Sequence, residues 1–277
     1  MKISKFPKRI VVELSLDCNL DCSMCPRNHI DKNKGFMSRF LWEKIIEDIN
    51  DNSPNSIVIP FWRGESLLHP YFTEIINFAF SKGLKMHFST NGVIFNERIA
   101  AILSHFEFIT FSVHNLIGYK NAKKFLLFKN DDNFPITQVS FVQGEETIKN
   151  IYDDLIQSKD LAGFDSVRLY EEHSIDGAFG RSSQTLDSNR NFCPKLHDTL
   201  VIAFDGCVSR CNHVWNTEKD INIANYSISE IWNSRRLSEI RNNYPDEVCL
   251  VCDQWLGHTR GESFRKVNNN ILHYTFN

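Results

Sequence analysis

Three cysteines stand close together near the start of the chain, in the spacing Cys-x3-Cys-x2-Cys. They are Cys18, Cys22 and Cys25, and the next cysteine is Cys193. Because thiolates ligate iron–sulfur clusters, three at this spacing can hold three irons of one 4Fe–4S cluster and leave the fourth iron open. An open metal position is typical of catalytic rather than structural sites. A zinc knuckle that lacks one ligand, or a disulfide with a spare thiol, would use the same residues.

Size and charge narrow the class of protein. The 277 residues are enough for one large α/β domain with an appendage. The net charge of −3 gives no case for a nucleic acid or an anionic membrane as partner. The first nine residues contain no apolar signal core, and no apolar run approaches the length of a membrane span. We therefore expect a cytoplasmic protein whose eight cysteines are metal ligands rather than disulfides.

Apolar, β-branched runs alternate with amphipathic stretches through the first two thirds of the chain. The predicted strands are Arg9–Ser15, Ser56–Trp62, Leu84–Ser89, Phe106–Val113, Ile136–Val142 and Ser166–Tyr170. The predicted helices are Arg39–Asn50, Tyr71–Ser81, Asn96–Ser104, Tyr119–Phe128 and Glu145–Gln157. Six strand–helix repeats indicate a parallel α/β sheet, either open or curled into a barrel. Sites in such sheets gather at the carboxyl ends of the strands, where the first three cysteines also lie.

The C-terminal quarter holds a second set of cysteines. Asp205-Gly206 predicts a hairpin that begins with a strand over Thr199–Phe204, and Ser227 with Glu230 predicts a capping box that starts a helix over Ser227–Arg241. Four cysteines gathered by these elements would bind zinc or a second 4Fe–4S cluster, and spacing alone does not decide between them. The cysteines of this set are Cys193, Cys207, Cys211, Cys249 and Cys252.

Both cysteine sets resemble one protein family. The first, with Asn19 and Leu20 inside it, resembles the radical S-adenosylmethionine (radical SAM) enzymes. The second, with Cys193-Pro194 and Ser227–Ser234, resembles their SPASM/twitch extension, and the layout is similar to the aminocyclitol (2-deoxy-scyllo-inosamine) dehydrogenase type. The resemblance implies a partial (β/α)6 TIM-like barrel with a small C-terminal α+β twitch domain of hairpin and helix. We expect the barrel over residues 1–180, a polar linker over 181–192, the twitch domain over 193–255 and a tail over 256–277.

The resemblance also implies which thiols bind which cluster. One cluster would bind SAM at its open iron, and an auxiliary 4Fe–4S cluster would have four cysteine ligands. Cys207 is then left over, either as a buried turn residue, as a ligand in exchange with Cys211, or as a hydrogen-atom donor to a substrate radical. The implied ligands are Cys18, Cys22 and Cys25 for the first cluster and Cys193, Cys211, Cys249 and Cys252 for the second.

Two short motifs resemble the SAM-binding elements of that family. Trp62-Arg63-Gly64-Glu65-Ser66 resembles its Gly-Gly-Glu-Pro element, which meets the SAM ammonium group. Gly64 and Glu65 match, whereas Arg63 and Ser66 depart, so Arg63 could instead point at the substrate. Ser89-Thr90-Asn91-Gly92 contains the recurrent Thr-Asn-Gly, in which Ser89 and Asn91 would hydrogen-bond the ribose or carboxylate of SAM. An ordinary strand-to-helix loop is the alternative for the first motif and a plain turn for the second.

Polar residues at later strand ends complete the predicted site. Ser112 and His114 end the fourth strand, where Ser112 would contact the cofactor and His114 the reacting groups. At the end of the sixth strand, Arg168, with Tyr170 and the acidic pair Glu171-Glu172, would meet a polar substrate.

The resemblance implies reductive cleavage of SAM, driven by an external electron donor such as flavodoxin or ferredoxin, and removal of a hydrogen atom from a substrate carbon. Our leading hypothesis is oxidation of a secondary alcohol in a small sugar- or cyclitol-like molecule of natural product biosynthesis, with the auxiliary cluster as electron acceptor. The alternatives are a radical epimerase that uses Cys207 and a peptide-modifying maturase. Against the maturase, fewer than ten residues precede the first strand. An iron–sulfur electron carrier would not account for Gly64-Glu65 or Ser89–Gly92.

Overall fold

The computed structural model describes residues 4–25, 27, 30, 35–130, 134–144, 146–171, 192–250, 252 and 261–276. The chain forms two compact units. The first comprises Met1–Met86 and Ser174–His258, and the second comprises His87–His173 and Thr259–Asn277. Within the part that the structure describes, no helix has both the length and the apolar character needed to cross a membrane.

The strands are β1 (Arg9–Val12), β2 (Ile57–Ile59), β3 (His87–Thr90), β4 (Phe108–Ser112), β5 (Ile136–Val142), β6 (Ser166–Tyr170), β7 (Thr199–Ile202), β8 (Cys207–Ser209), β9 (Glu218–Asn222), β10 (Gly261–Val267) and β11 (Asn270–Phe276). The helices are α1 (Arg39–Asn52), α2 (Phe72–Ser81), α3 (Glu97–Leu103), α4 (Leu116–Phe125), α5 (Glu146–Gln157), α6 (Pro194–Asp198), α7 (Ile228–Trp232), α8 (Arg235–Asn242) and α9 (Glu247–Leu250).

The first unit is built on a sheet of order β2-β1-β7-β8-β9. β1 is parallel to both β2 and β7, whereas β7, β8 and β9 are antiparallel to one another. The helical spacing of apolar residues in α1 buries Trp42, Ile45 and Ile49, and Ser38 caps its first turn by accepting the N–H of Leu41. The Trp42 indole donates to the carbonyl of Ile75 in α2 at 2.7 Å, which fixes the two helices against each other.

The second unit is built on a sheet of order β11-β10-β6-β5-β4-β3, with β3 to β6 parallel and β10 antiparallel to β6. One face of this sheet packs on helices through aromatic pairs. Phe111 of β4 lies 5.3 Å from Phe125 of α4, and Phe141 of β5 lies 5.8 Å from Tyr152 of α5, between ring centroids. These contacts form the core of the second unit on the helix side of the sheet.

The six predicted strands and five predicted helices of the first two thirds are all present, with β5 and β6 at the predicted bounds. The single helix predicted over Ser227–Arg241 is wrong, because the chain forms two helices there. The capping box of Ser227 and Glu230 does start α7, but Ser234 then acts as a second N-cap by accepting the N–H of Leu237. A serine that bonds the backbone competes with helix continuation, so the helix ends and restarts.

The C-terminal region differs from a simple appendage in two respects. β7, the first strand of the predicted hairpin, pairs with β1 along its whole length. Residues 261–276, for which the sequence indicates no pattern, form the β10–β11 hairpin that extends the second sheet. Of the predicted linker, only Phe192 is among the described residues. Glu172 also lies outside the described residues. The domain boundaries at 180, 192 and 255 therefore stay predictions.

Candidate functional site

The loop that carries the first three cysteines leaves the first sheet directly after β1. Its two ends are tied together, since Leu16 donates its N–H to the carbonyl of Gly35 and Met37 donates to Leu14, each at 3.0 Å. Inside the loop, the N–H of Cys25 donates to the carbonyl of Cys22 at 3.0 Å. The three cysteines therefore follow the end of β1, as the sequence predicts.

The thiols of this loop are half-buried and reduced. Burial raises the pKa of Cys18 and of Cys25, and the Arg27 guanidinium opposes that rise in both. Arg27 donates Nη2 to the carbonyl of Leu20 at 3.0 Å, and its buried Nε makes no hydrogen bond with any described residue. A cation beside a cysteine favours the thiolate, the form that binds metal. Local sequence does not single out Arg27, since its signal is a basic residue two positions after Cys25 and nothing more.

The Trp62-Arg63-Gly64-Glu65 segment, here called the glycine–glutamate loop, lies against the base of the cysteine loop. A Cβ on Gly64 would be 2.3 Å from the carbonyl oxygen of Ser15 and 2.5 Å from that of Asp17, so no other residue fits. Glu65 donates its N–H to the Asp17 carbonyl at 2.8 Å. Its carboxylate is buried and accepts the N–H of Leu67 at 3.1 Å. Gly64 and Glu65 are therefore placed beside Cys18.

Arg63 makes a buried ion pair with Glu13, the residue after β1. Its Nε and Nη2 donate to the two carboxylate oxygens at 2.7 and 2.6 Å, and its guanidinium lies 4.0 Å from the Trp62 ring centre. Glu13 is fully buried and also accepts the N–H groups of Arg63 and Phe204. Burial raises the pKa of Glu13, and the Arg63 charge opposes the rise. A substrate contact by Arg63 would require this pair to open.

The same loop is also bonded to the segment that follows Cys211. The Trp62 indole donates to the carbonyl of Asn212 at 2.9 Å, and Arg63 Nη1 donates to that of Trp215 at 2.9 Å. Trp62 packs in an apolar cluster with Val11 and Val201. The glycine–glutamate loop is thus hydrogen-bonded to both cysteine regions of the first unit.

Electrostatic coupling relates the thiols of the second set. Burial raises the pKa of Cys211 to about 12, and the thiols of Cys193 and Cys252 act in the same direction. Burial also raises the pKa of Cys249 to about 12, with Cys252 adding to it. Cys207 has a different environment, because its sulfur accepts a hydrogen bond from Asn222 Nδ2 at 3.6 Å.

Among the described residues, no three His, Cys, Asp or Glu side chains are arranged as a group that could hold a metal ion. The donor chemistry nevertheless fits iron–sulfur clusters, because each set offers thiols with a cationic or N–H donor close by. Arg27 serves the first set; in the second, Cys211 accepts the N–H of His213 at 3.5 Å and Cys249 accepts Arg210 Nη2 at 3.6 Å. Which thiols ligate which cluster stays a prediction.

In the second unit, the predicted cofactor residues lie at the carboxyl ends of β3 and β4. Gly92 has a φ of +71°, a conformation that favours glycine, and Asn91 Oδ1 accepts the N–H of Val93 at 2.9 Å. Asn121 of α4 donates to the Gly92 carbonyl at 2.9 Å, and Gly118 touches the Asn91 carbonyl so closely that a Cβ would be 2.4 Å away. The turn after Ser89 is therefore rigidly held.

Ser112 and His114 meet at the end of β4. Their Oγ and Nε2 atoms are 3.2 Å apart, within hydrogen-bonding distance. Burial lowers the pKa of His114, so the ring is neutral near pH 7. A neutral imidazole beside a hydroxyl can accept a proton, which is the property a general base needs.

Part of the face of the second sheet opposite the helices is polar. Ser112, Ser140 and Arg168 are register partners on β4, β5 and β6, and Ser263 of β10 is the partner of Arg168. Register partners project to the same face of a sheet. Two residues earlier in β4, β5 and β6, the same face carries Thr110, Gln138 and Ser166. Ser89 of β3 is the register partner of Thr110 and lies on this face too. The residues named here are called the polar face.

Hydrogen bonds connect part of the polar face. Gln138 Nε2 donates to Thr110 Oγ1 and Ser166 Oγ donates to Gln138 Oε1, each at 3.3 Å. Ser140 is 3% exposed, and the fully buried Ser263 Oγ makes no hydrogen bond with any described residue. Ser89, Ser112 and Arg168 are predicted from the sequence, whereas the other residues of the polar face are not. The alternation Thr-Gln-Val-Ser-Phe-Val in β5 is the signal that would have revealed Gln138 and Ser140.

Comparison with known families and structures agrees with this arrangement. Residues 193–253 match the SPASM iron–sulfur cluster-binding domain. SuiB of Streptococcus suis, solved bound to the precursor peptide SuiA, has a TM-score of 0.67 at 15% identity, over 94% of this chain and 72% of SuiB. BtrN, solved with AdoMet and 2-DOIA, has a TM-score of 0.55 at 17% identity, over 85% of each chain. The structure of anSMEcpe, solved with AdoMet and the Cp18Cys peptide, has a TM-score of 0.60 at 14% identity, over 91% of this chain and 88% of anSMEcpe.

A curated relative is the tungsten-containing aldehyde ferredoxin oxidoreductase cofactor-modifying protein of Pyrococcus furiosus, 30% identical over 93 residues. That match covers 33% of this chain and 26% of the relative. The shared folds confirm the predicted α/β class, a radical SAM partial barrel with a SPASM-type domain. Residues 193–253 thus match a SPASM domain, and the cysteine motif and these folds are similar to those of radical SAM enzymes of the SPASM/twitch group, a similarity that implies SAM and 4Fe–4S clusters as cofactors.

Proposed function

We propose that this protein oxidises a secondary alcohol of a small, polar, sugar- or cyclitol-like molecule to a ketone. The polar face carries this proposal, because its hydroxyl, amide and guanidinium groups project from neighbouring strands on one side of the sheet. Such a surface offers hydrogen-bond partners to a molecule that has hydroxyl groups on several carbons, whereas an apolar ligand would leave these groups unsatisfied. BtrN, the similar structure solved with 2-DOIA, is an aminocyclitol dehydrogenase.

The protein residues have distinct tasks in this proposal. Cys18, Cys22 and Cys25 hold the SAM-binding cluster, and Gly64 and Glu65 hold the amino end of SAM. Ser89, Asn91 and Ser112 orient its ribose and carboxylate. The bound cofactors supply the removal of a hydrogen atom from the carbinol carbon once an external donor, such as flavodoxin or ferredoxin, has provided an electron. A cytoplasmic location would keep the eight cysteines reduced, as metal ligands must be.

After the hydrogen atom has left, the substrate must lose one proton and one electron to become a ketone. His114 is our proposed acceptor of the hydroxyl proton, because its ring is neutral and lies beside Ser112. The auxiliary cluster, held by Cys193, Cys211, Cys249 and Cys252, is the proposed acceptor of the electron. Arg168 would orient the substrate from β6.

The first experiment measures 5′-deoxyadenosine release from SAM by the anaerobically reconstituted, reduced protein. The control is the variant with Cys18, Cys22 and Cys25 all changed to Ala. We expect release only from the parent, stimulated by polyhydroxylated substrates and coupled to one ketone per nucleoside. Nucleoside release that no sugar or cyclitol stimulates would contradict the substrate class.

A variant of the polar face tests the substrate contact itself. Ser140→Ala should raise the KM for the alcohol up to about tenfold, the worth of one hydrogen bond, with little change in unstimulated SAM cleavage. Incorporation of solvent deuterium at one product carbon, with loss of that signal in Cys207→Ala, would instead establish an epimerase.

Peptide modification is the second candidate. SuiB and anSMEcpe were both solved with bound peptides, and both share the fold of this chain. Stimulation of nucleoside release by a peptide, with a mass change in that peptide and no response to sugars or cyclitols, would favour it.

A further inference from the structure

Arg210 lies between β8 and Cys211 and is bound on two sides. Its Nη1 donates to Asp246 Oδ2 at 2.6 Å, and its Nη2 donates to the sulfur of Cys249 at 3.6 Å. The side chain is only 10% exposed. Asp246 in turn accepts the backbone N–H of Cys249 through Oδ1 at 3.1 Å. The carboxylate therefore aligns both the guanidinium and the cysteine.

A guanidinium in this position is a permanent positive charge next to sulfur. Arg210 lies beside two of the proposed ligands, because it directly precedes Cys211 in the chain and donates to the sulfur of Cys249. Its buried Nε makes no hydrogen bond with any described residue, so a further donor lies beside the thiols. The reduction potential of an iron–sulfur cluster depends on local charge and on hydrogen bonds to its sulfurs, and both act here.

We propose that Arg210, held by Asp246, is a positioning residue that raises the reduction potential of the auxiliary cluster. A positive charge stabilises the reduced cluster, which carries one more negative charge than the oxidised cluster. The residue would thereby make the cluster a better acceptor for the electron that leaves the substrate. This inference deepens the proposed function and rests on Cys249 as a cluster ligand.

Because Arg210 and Asp246 carry opposite charges, removing one charge or the other should shift the reduction potential in opposite directions. Arg210→Gln removes the cation and should lower the potential, whereas Asp246→Asn removes the anion and should raise it. Arg210→Lys keeps the positive charge, so its reduction potential should be close to that of the parent. If the pair only held the loop in place, Arg210→Gln and Asp246→Asn would act in the same direction.

The measurement is an EPR-monitored redox titration of the full chain with Cys18, Cys22 and Cys25 changed to Ala, so that only the auxiliary cluster contributes. We expect Arg210→Gln to shift the equilibrium at least tenfold toward the oxidised cluster, which corresponds to about 59 mV for one electron. Arg236→Gln is the matched control, because it breaks an ion pair with Glu218 whose arginine is half exposed. Iron and sulfide analysis of each variant verifies that the cluster is present.

Each outcome has a defined meaning. Equal potentials in the parent and Arg210→Gln, at equal iron content, would overturn the proposal, as would a parent that binds no auxiliary cluster. If Arg210→Gln loses its cluster, the test is the reduction potential of Asp246→Asn, which should be higher than that of the parent. A potential that is not higher would overturn the proposal. A shift of the expected sign in a protein that oxidises no alcohol would sustain the role of Arg210 and refute the proposed function.

Discussion

The backbone N–H of Glu65 donates to the carbonyl oxygen of Asp17 at 2.8 Å. This bond attaches the segment predicted to bind the amino end of SAM to the residue before Cys18. On its other side the same segment is bonded to Asn212 and Trp215, after Cys211. One short loop is thus hydrogen-bonded to both cysteine regions of the first unit.

Gly64→Ala should impair the first cluster. The new Cβ would collide with the carbonyls of Ser15 and Asp17, which are backbone atoms at the root of the cysteine loop, so the chain must shift there. We expect a loss of about 1–3 kcal/mol in the free energy of unfolding. Iron bound per chain and SAM affinity should both fall, as measured by iron analysis and equilibrium dialysis.

Gly83→Ala is the control for that variant. Gly83 has a φ of +72° and open space around its Cα, so the substitution costs local backbone strain only. Its iron content and SAM affinity should equal those of the parent. Full iron and normal SAM binding in Gly64→Ala would show that the close contact is not needed.

Removing one partner of the Glu13–Arg63 pair should be far more harmful than removing both. Glu13→Leu or Arg63→Met would leave a buried charge without its counter-ion, at about 3–5 kcal/mol each. The double variant should lose much less free energy of unfolding than the two single variants lose together. Denaturant unfolding of the reduced apoprotein gives the coupling energy.

The same set of single and double variants at the exposed pair of Arg39 and Glu43 in α1 provides the comparison. The coupling of this exposed pair should be much smaller than that of the buried pair, because solvent screens the two charges. Coupling of the buried pair no larger than this would mean that Arg63 is not held by Glu13, which would return it to a possible substrate role.

Trp62→Phe should weaken the auxiliary cluster region. The substitution keeps an aromatic ring in the apolar cluster but removes the N–H that bonds the Asn212 carbonyl, worth about 0.5–1.5 kcal/mol. The auxiliary iron content, measured in the variant without the first three cysteines, should fall. Trp42→Phe loses a comparable bond to Ile75 and should destabilise the protein without changing that iron content. Equal iron loss in both would indicate general destabilisation.

Stability should fall as the pH drops below about 6.5. Burial lowers the pKa of His69 and of His114, so both rings are neutral in the folded protein. The unfolded chain takes up these protons near pH 6.5 while the folded chain does not, so stability is lost as the pH falls and levels off below the folded pKa. His69 accepts the N–H of Tyr71 on Nδ1 and therefore donates from Nε2 to the Met37 carbonyl.

His69→Gln should flatten part of this pH dependence in unfolding experiments on the reduced apoprotein between pH 5.5 and 7.5. His105→Gln, at an exposed position, is the matched control for the histidine-to-glutamine substitution. An unchanged slope in His69→Gln would show that His69 does not resist protonation in the folded protein.

Much of the secondary structure follows from local sequence. The apolar spacing of Trp42, Ile45, Ile46 and Ile49 predicts α1, and β-branched runs with polar boundaries predict β5 and β6. The break between α7 and α8 depends on Ser234, a capping residue that helical periodicity alone does not reveal. The first cysteine loop follows from its spacing and its place after β1.

The amino-acid sequence by itself determined the strand–helix order, the two cysteine sets and the motifs beside Cys18, because these signals lie within a few residues of one another. Only the tertiary structure decided that Glu13 binds Arg63, that Trp62 bonds Asn212, that β10 extends the second sheet and that Arg210 reaches Cys249. These partners are separated by tens of residues or more along the chain. Strand register and burial bring them together, and no local spacing records which distant side chain will satisfy a buried charge.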